Sequence, residues 1–272
     1  MIGAILFYNR PVYLQKTVKS LESNTLQPFW YFLQDGPPDK NTEKCKEVIQ
    51  RSLLKGEYHQ SEINISPLGQ YWRVLELAEK EQPMIIFEDD MVVSPYYIQL
   101  IEKMLQQFPN SVVTAADYPN KPEPNDANLK EVFTANTNFW GYGVNGSTLK
   151  RIRPHIEYYT SFLMEKVKTN SMSKALKNRS PAEKEIRKLF GFHATGIDGA
   201  FHWAMQKEGI KNVTAIVPRG RYIGERGLNQ NPTLFRKQNF HNTQEFVFHT
   251  DPDIESFIPH NNCKSDSSII GF

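Results

Sequence analysis

Met84-Ile85-Ile86-Phe87-Glu88-Asp89-Asp90 is the stretch on which the reading of this chain turns. Four apolar residues in a row, preceded by Pro83 and followed by acids, predict a short buried strand. Three consecutive carboxylates at its end are costly unless something neutralises them. A hard divalent cation does this, because Mg²⁺ and Mn²⁺ prefer carboxylate, water and phosphate oxygens. Consecutive residues at a strand end point alternately. Only one or two of these carboxylates therefore face the same ion, which leaves coordination sites for a diphosphate. The opposing reading is a solvated acidic turn paired with Lys or Arg.

Working outward, the first half alternates. Ile2–Tyr8 reads as a buried strand, and Val12–Leu21 as a helix opened by Pro11. Phe29–Leu33 is a second strand, stopped by Asp35-Gly36-Pro37-Pro38. A helix at Glu43–Leu54, a strand at Tyr58–Ile65 and a helix at Tyr71–Lys80 lead into Met84–Phe87, and Tyr96–Phe108 is helical again. Such alternation with fully apolar strands implies a mostly parallel sheet covered on both faces, with ligands at the C-terminal strand ends. The second half is less regular. Strands are expected at Ser111–Ala116, Val132–Ala135, Phe139–Val144 and Val213–Val217, and helices across Lys150–Lys188 and at Ile197–Lys207. Pro119–Asn128 reads as a loop. The expectation is one α/β domain over residues 1–272, with a regular half at 1–116 and an elaborated half at 117–272.

Composition narrows the classes. With 272 residues, 32 Lys+Arg, 30 Asp+Glu and a net charge of +2, the chain lacks the basic excess of a nucleic-acid binder. A hydrophobic share of 39% argues against global disorder. The longest apolar run, Ile2–Tyr8, is far too short to span a membrane and lacks the basic flank of a signal peptide. A soluble, cytoplasmic chain is expected, so the four Asn-x-Ser/Thr sequons (Asn64, Asn145, Asn178, Asn212) read as chance matches. Cys45 and Cys263 read as unpaired thiols, with a single disulfide as the alternative.

Other polar residues stand at strand ends. Asp35 is a candidate to accept hydrogen bonds from a nucleobase or ribose, or else an Asx-turn cap. Asn9 and Arg10 follow the first strand and suit phosphate or base, or else a turn with a surface arginine. Asp198 opens a helix, where it is either a first-turn residue of structural use or a general base for an incoming hydroxyl. None of the seven histidines has zinc spacing, but His249, after Phe246-Val247-Phe248, is a candidate second metal ligand. No G-x-G-x-x-G, P-loop or G-x-S-x-G motif is present.

Together these pieces resemble a nucleotide-sugar glycosyltransferase of the GT-A type. More narrowly, the chain is similar to the Golgi β-1,2-N-acetylglucosaminyltransferase family. The resemblance rests on Ile5-Leu6-Phe7-Tyr8-Asn9-Arg10-Pro11, Gln34-Asp35, Gln70-Tyr71-Trp72-Arg73 and Glu88-Asp89-Asp90-Met91-Val92-Val93-Ser94-Pro95. Looser matches are Asn138-Phe139-Trp140-Gly141-Tyr142-Gly143, Asp198 near Trp203, and the basic loop Arg219–Gly227. The resemblance implies Asp90 as the direct Mn²⁺ (or Mg²⁺) ligand, with Glu88 and Asp89 contacting the donor sugar and ribose. It further implies that Asp35, Asn9, Arg10 and Arg73 hold the nucleotide and that Asp198 is the catalytic base. Arg219, Arg221 and Arg226 are expected in a loop that closes over the diphosphate. Two departures stand out. Gln70 occupies the place of a family histidine, and residues 150–190 have no family counterpart.

The function expected is an inverting, metal-dependent transfer of a sugar from a UDP-sugar to a glycan or glycoconjugate acceptor. Alternatives are a nucleotidyltransferase acting on sugar phosphates, which the Gly-free turn after the first strand disfavours, and a non-catalytic carbohydrate-binding protein, which leaves the acidic triplet unexplained.

Overall fold

A computed structural model describes residues 1–80, 82–117, 129–135, 139–171, 174–175, 178, 180–191, 197–226, 231–237 and 256–259. Its first half runs β1 (Ile2–Phe7), α1 (Pro11–Glu22), β2 (Phe29–Gln34), α2 (Lys40–Gln50), β3 (Gly56–Gln60), α3 (Ser66–Leu77), β4 (Pro83–Glu88), β5 (Met91–Val93) and α4 (Tyr97–Gln107). The second half adds β6 (Val112–Thr114), β7 (Glu131–Ala135), β8 (Tyr142–Asn145), α5 (Gly146–Val167), α6 (Glu183–Phe190) and α7 (Ile197–Lys207). It closes with β9 (Asn212–Ala215), β10 (Gly220–Tyr222), α8 (Pro232–Lys237) and β11 (Ile258–Pro259).

Nine strands form one mixed sheet in the order β11-β7-β9-β6-β8-β4-β1-β2-β3. β1 lies between β2 and β4, parallel to both, and β3 is parallel to β2. β8 runs antiparallel between β4 and β6. β6 and β9 are parallel, β7 is antiparallel to β9, and β11 is parallel to β7. The sheet is therefore mostly parallel and carries helices on both faces. One core gathers Leu14, Val18 and Leu21 of α1, Ile49 of α2 and Tyr97, Ile101 and Met104 of α4 against Ile5, Ile85 and Phe87. The other gathers Leu68 and Tyr71 of α3, Ile152 and Ile156 of α5, Ile186 of α6 and Phe201 of α7 against Met84 and Ile86. Alternate residues of β4 thus feed opposite layers, as a buried central strand requires.

Several boundaries differ from the sequence expectation. β3 stops at Gln60 and α3 already begins at Ser66, because Asp35 accepts the Ile65 and Ser66 backbone N–H groups at 2.8 and 3.1 Å. Pro67 then fits the first turn, where no N–H is needed. Val12, the first apolar residue of the expected helix, is 65% exposed, whereas the polar Thr17 is buried on the inner face of α1. The stretch 150–188 is interrupted, since α5 ends at Lys168 in a left-handed conformation (φ 53°) before α6. β5 and β10 were not expected; they pair antiparallel, Gly220 with Val93 and Tyr222 with Met91. Cys45 is free and buried, and its thiol is pushed up to about 12 by burial first of all. The Pro119–Asn128 loop, Cys263 and His249 lie outside the described residues.

Tyr97 ties these pieces together. Its buried hydroxyl donates to Gly141 O at 2.6 Å, accepts from Ala115 N at 3.3 Å and stands 3.2 Å from Thr114 Oγ1. Gly141 has φ +53°, a turn conformation that glycine adopts without strain, and Gly143 packs too closely on Ile101 to carry a Cβ. Tyr97→Phe keeps the ring and strands these partners without water. It is expected to lower stability by about 1–3 kcal/mol in urea unfolding. An unchanged midpoint would show that the hydroxyl contributes nothing.

Candidate active site at the end of β4

The acidic triplet is divided between the two sides of the sheet. Glu88 continues the alternation of Met84 and Ile86 and shares their side, towards α3 and α7. Asp89 and Asp90 form the turn between β4 and β5, and both are buried. Arg10, delivered by the neighbouring strand β1, bridges them: its guanidinium contacts Asp89 Oδ1 and stands 2.8 Å from Asp90 Oδ2. Arg10 is thus a partly buried counter-ion of the turn rather than a surface arginine. Thr17 of α1 braces the same turn, donating its hydroxyl to Asp89 O at 2.8 Å and accepting from Met91 N at 3.2 Å. Asp90 Oδ1 is buried and has no hydrogen-bond partner among the described residues.

Asp198 approaches from the Glu88 side. It sits in the first turn of α7, and Phe201 anchors that helix against Tyr71 (ring centroids 5.0 Å) and Phe139 (6.1 Å). Tyr142 is brought beside β4 by its pairing with Ile86. Its buried hydroxyl lacks a well-formed hydrogen bond, although the Tyr71 hydroxyl is near enough to influence it. Glu88, Asp198, Tyr71 and Tyr142 all interact electrostatically, so the structure unites Asp198 with the triplet across more than a hundred residues.

Desolvation dominates the electrostatics of this cluster. Burial raises Glu88 above the ordinary carboxylate range, and the charges of Asp90, Asp198 and Asp89 raise it further. Burial also raises Asp89 and Asp90, against the opposing effect of Arg10. Arg10 feels burial in the downward direction, but Asp89 and Asp90 outweigh it and hold the guanidinium firmly charged. Burial pushes the Asp198 carboxyl up to about 6. That side chain still opens to solvent, so crowding by surrounding protein rather than complete sequestration sets its shift.

The other expected contacts are distributed around this centre. Asp35 spends both oxygens on the start of α3, which makes it a helix-fixing residue here. Arg73 donates to Gln34 O at 3.2 Å, Ser61 Oγ at 3.3 Å and Gln70 Oε1 at 3.4 Å. Gln70 Nε2 and Ser66 Oγ, one turn apart on α3, are buried without partners among the described residues. Asn9 is half-buried in the bend after β1. The expected closing loop needs correction. Arg219 is buried and donates to Val217 O at 2.9 Å and Leu129 O at 3.1 Å, and Arg221 lies within β10. Arg226 is exposed, its backbone N–H donating to the Tyr13 hydroxyl at 3.1 Å. Sequence reasoning missed Thr17, Tyr142 and Tyr222. Tyr142 and Tyr222 fall within stretches already singled out by resemblance, and a hydroxyl among the apolar positions of α1 was the signal at Thr17.

Among the described residues, no group of three or more His, Cys, Asp and Glu side chains gathers as a metal site. A cation would therefore rest on Asp90 and on oxygens of a bound substrate, and the unpartnered Asp90 Oδ1 fits that arrangement. Arg10→Gln withdraws the positive charge from buried acids and is expected to lower stability by about 3 kcal/mol at pH 8. The carboxyls have raised folded-state pKa values, so their protonation on acidification relieves the repulsion. The deficit, read by urea unfolding, should shrink at pH 5.5. An equal deficit at both pH values would contradict this account.

No protein-family model and no curated protein matches the chain. Solved structures show partial likeness. S. aureus TarS residues 1–349 aligns with a TM-score of 0.47 at 10% identity, covering 83% of this chain and 61% of that one. The same fragment in complex with UDP-GlcNAc gives 0.40 at 13% identity, covering 55% and 47%. Mouse xyloside xylosyltransferase 1 in its apo form gives 0.41 at 10% identity, covering 78% and 83%. The chain thus spans less than two thirds of the TarS chains it matches, and at these scores its function has to be read from its own residues.

Proposed function

We propose that this chain is a GT-A type, inverting, metal-dependent glycosyltransferase. It moves a sugar, with N-acetylglucosamine favoured by the motif resemblance, from a UDP-sugar to a hydroxyl of a glycan or glycoconjugate. The observation that carries the reading is the meeting of Asp198 with Glu88 at the end of β4, two residues before an Asp90 that retains an unpartnered oxygen. A solvent-open carboxylate beside buried acids at a parallel strand end is the arrangement a base-assisted displacement on a diphosphate donor requires.

The acceptor hydroxyl enters beside Asp198, which takes its proton as the oxygen attacks the anomeric carbon. The bond from that carbon to the diphosphate oxygen breaks, and UDP leaves with the electron pair. Attack from the face opposite the leaving group inverts the configuration, and no covalent enzyme intermediate forms. Burial pushes Glu88 towards its neutral form, which lets it donate a hydrogen bond to the donor sugar. Asp90 would hold Mn²⁺ or Mg²⁺, which supplies charge neutralisation for the departing diphosphate. Arg10 stands beside the same turn, and Gln70 Nε2 and Ser66 Oγ offer buried polar atoms near the β2 end for the nucleoside.

Asp198→Asn is expected to reduce transfer by about 10² to 10⁴-fold while UDP-sugar binding is kept. The base form of Asp198 is the active one and its carboxyl titrates near 6. In the parent protein kcat/KM should therefore fall as pH drops through about 6, a limb absent from the residual activity of the variant. An equal loss of donor affinity, with unchanged turnover per bound donor, would reassign Asp198.

A nucleotide screen tests the donor class. UDP with Mn²⁺ should raise the thermal midpoint, corresponding to about 2.7 kcal/mol at a hundredfold excess over Kd. GDP and CDP should act less. Asp90→Ala should abolish both the Mn²⁺-dependent part of that shift and Mn²⁺-stimulated UDP release. Retention of both would remove Asp90 from the metal site.

A further inference from the structure

Asp90 is held from the far end of the chain. The Ile223 N–H donates to its carbonyl at 2.8 Å, and β10 pairs Tyr222 with Met91, the residue after Asp90. The Tyr222 hydroxyl hydrogen-bonds the Asp90 carboxylate. Its ring is stacked on Trp140, centroids 5.2 Å apart and planes 15° from parallel, and meets Phe235 of α8 at 6.0 Å. Gly224 closes the arrangement: a Cβ there would collide with both Asp90 Oδ2 and the Tyr222 hydroxyl. Ribbon pairing and aromatic packing therefore fix where the phenol oxygen lies, and a missing side chain makes room for it against the carboxylate. Arg10 Nη2 approaches the same oxygen, Oδ2, at 2.8 Å, and Oδ1 is left buried without a partner among the described residues.

We propose that Tyr222 is a positioning residue for Asp90, fixing the carboxylate so that Oδ1 is the oxygen offered to a diphosphate-bound cation. This rests on the glycosyltransferase reading above. An aspartate can rotate about two side-chain torsions, and a hydrogen bond from a locked phenol removes that freedom before the cation binds. Outer hydrogen-bond partners of metal-ligating carboxylates act in this way and commonly change metal affinity by about 10–100-fold when removed.

Tyr222→Phe tests it, because the ring and its stacking remain and only the hydroxyl is lost. Mn²⁺ would be titrated into UDP-saturated protein, with free Mn²⁺ read by electron paramagnetic resonance. The expected result is an affinity about tenfold weaker. Metal-free UDP affinity should stay as in the parent, while the metal-free thermal midpoint falls modestly because the buried Asp90 carboxylate loses one hydrogen bond. The Mn²⁺ concentration for half-maximal transfer should rise by the same factor, and kcat should recover at saturating Mn²⁺. A parent protein that binds Mn²⁺ alongside a Tyr222→Phe variant within twofold of it would overturn the inference and leave the glycosyltransferase reading standing. A parent protein that binds no Mn²⁺ with UDP would overturn the metal reading and this inference with it. Should Tyr222→Phe fail to fold, Gly224→Ala puts a methyl group between the two oxygens and should weaken Mn²⁺ in the same way.

Discussion

The constraint on which the structure depends is the charge at the end of β4. A strand buried on both faces delivers three carboxylates, Asp89 and Asp90 buried and Glu88 half-buried, into a region where each uncompensated buried ion costs several kcal/mol. Arg10 answers part of this. It is supplied by the adjacent parallel strand, since β1 pairs Leu6 with Glu88 and places Arg10 just beyond. One guanidinium bridges two acids, and burial moves all three acids towards their neutral forms. The turn remains acid-rich, and the rest of the site is organised around that.

Strand alternation decides who meets whom. Glu88 shares the side of Met84 and Ile86, so its neighbours come from α3, β8 and α7: Tyr71, Tyr142 and Asp198. Past the strand end the chain turns towards α1, and there Arg10 and Thr17 receive Asp89 and its backbone. A single buried strand thereby reaches the helix that carries Asp198 on one side and the turn that Arg10 bridges on the other. Both helical layers contribute to one site because that strand lies between them.

Legibility in the sequence follows contact range. β1, β2, β4 and α1 are marked locally by apolar runs and Pro or Gly turns, and they lie close to where the sequence puts them. The acidic triplet and Asp198 were legible as acids at a strand end and a helix start, and the structure brings them together there. Their partners were not. Arg10 meets Asp89 across 79 positions, and nothing in Tyr8-Asn9-Arg10-Pro11 distinguishes a buried counter-ion from a nucleotide contact. Asp35 read as either a nucleotide contact or a local turn cap, because the Ile65 and Ser66 amides it accepts from are thirty residues away and bear no side-chain signal. β5 and β10 are three-residue strands that exist only through each other, and Arg219 read as a loop arginine because burial is a tertiary property.

Two readings of the triplet stood opposed at the level of sequence: a cation site, or an acidic turn paired with a basic residue. The geometry shows why they need not exclude each other. Asp90 has two oxygens in different surroundings. Oδ2 lies against Gly224 and Arg10, whereas Oδ1 has no partner among the described residues. Under the proposed reading a cation at Oδ1 would leave the Arg10 contact at Oδ2 in place, so the arginine that stabilises the folded turn would not have to be displaced. The strongly acidic turn is then tolerable in the free protein with one carboxylate oxygen, Oδ1, still uncommitted among the described residues. The ribbon of β5 and β10 and its stacked Tyr222 make that division of the carboxylate a fixed property of the fold rather than a transient rotamer.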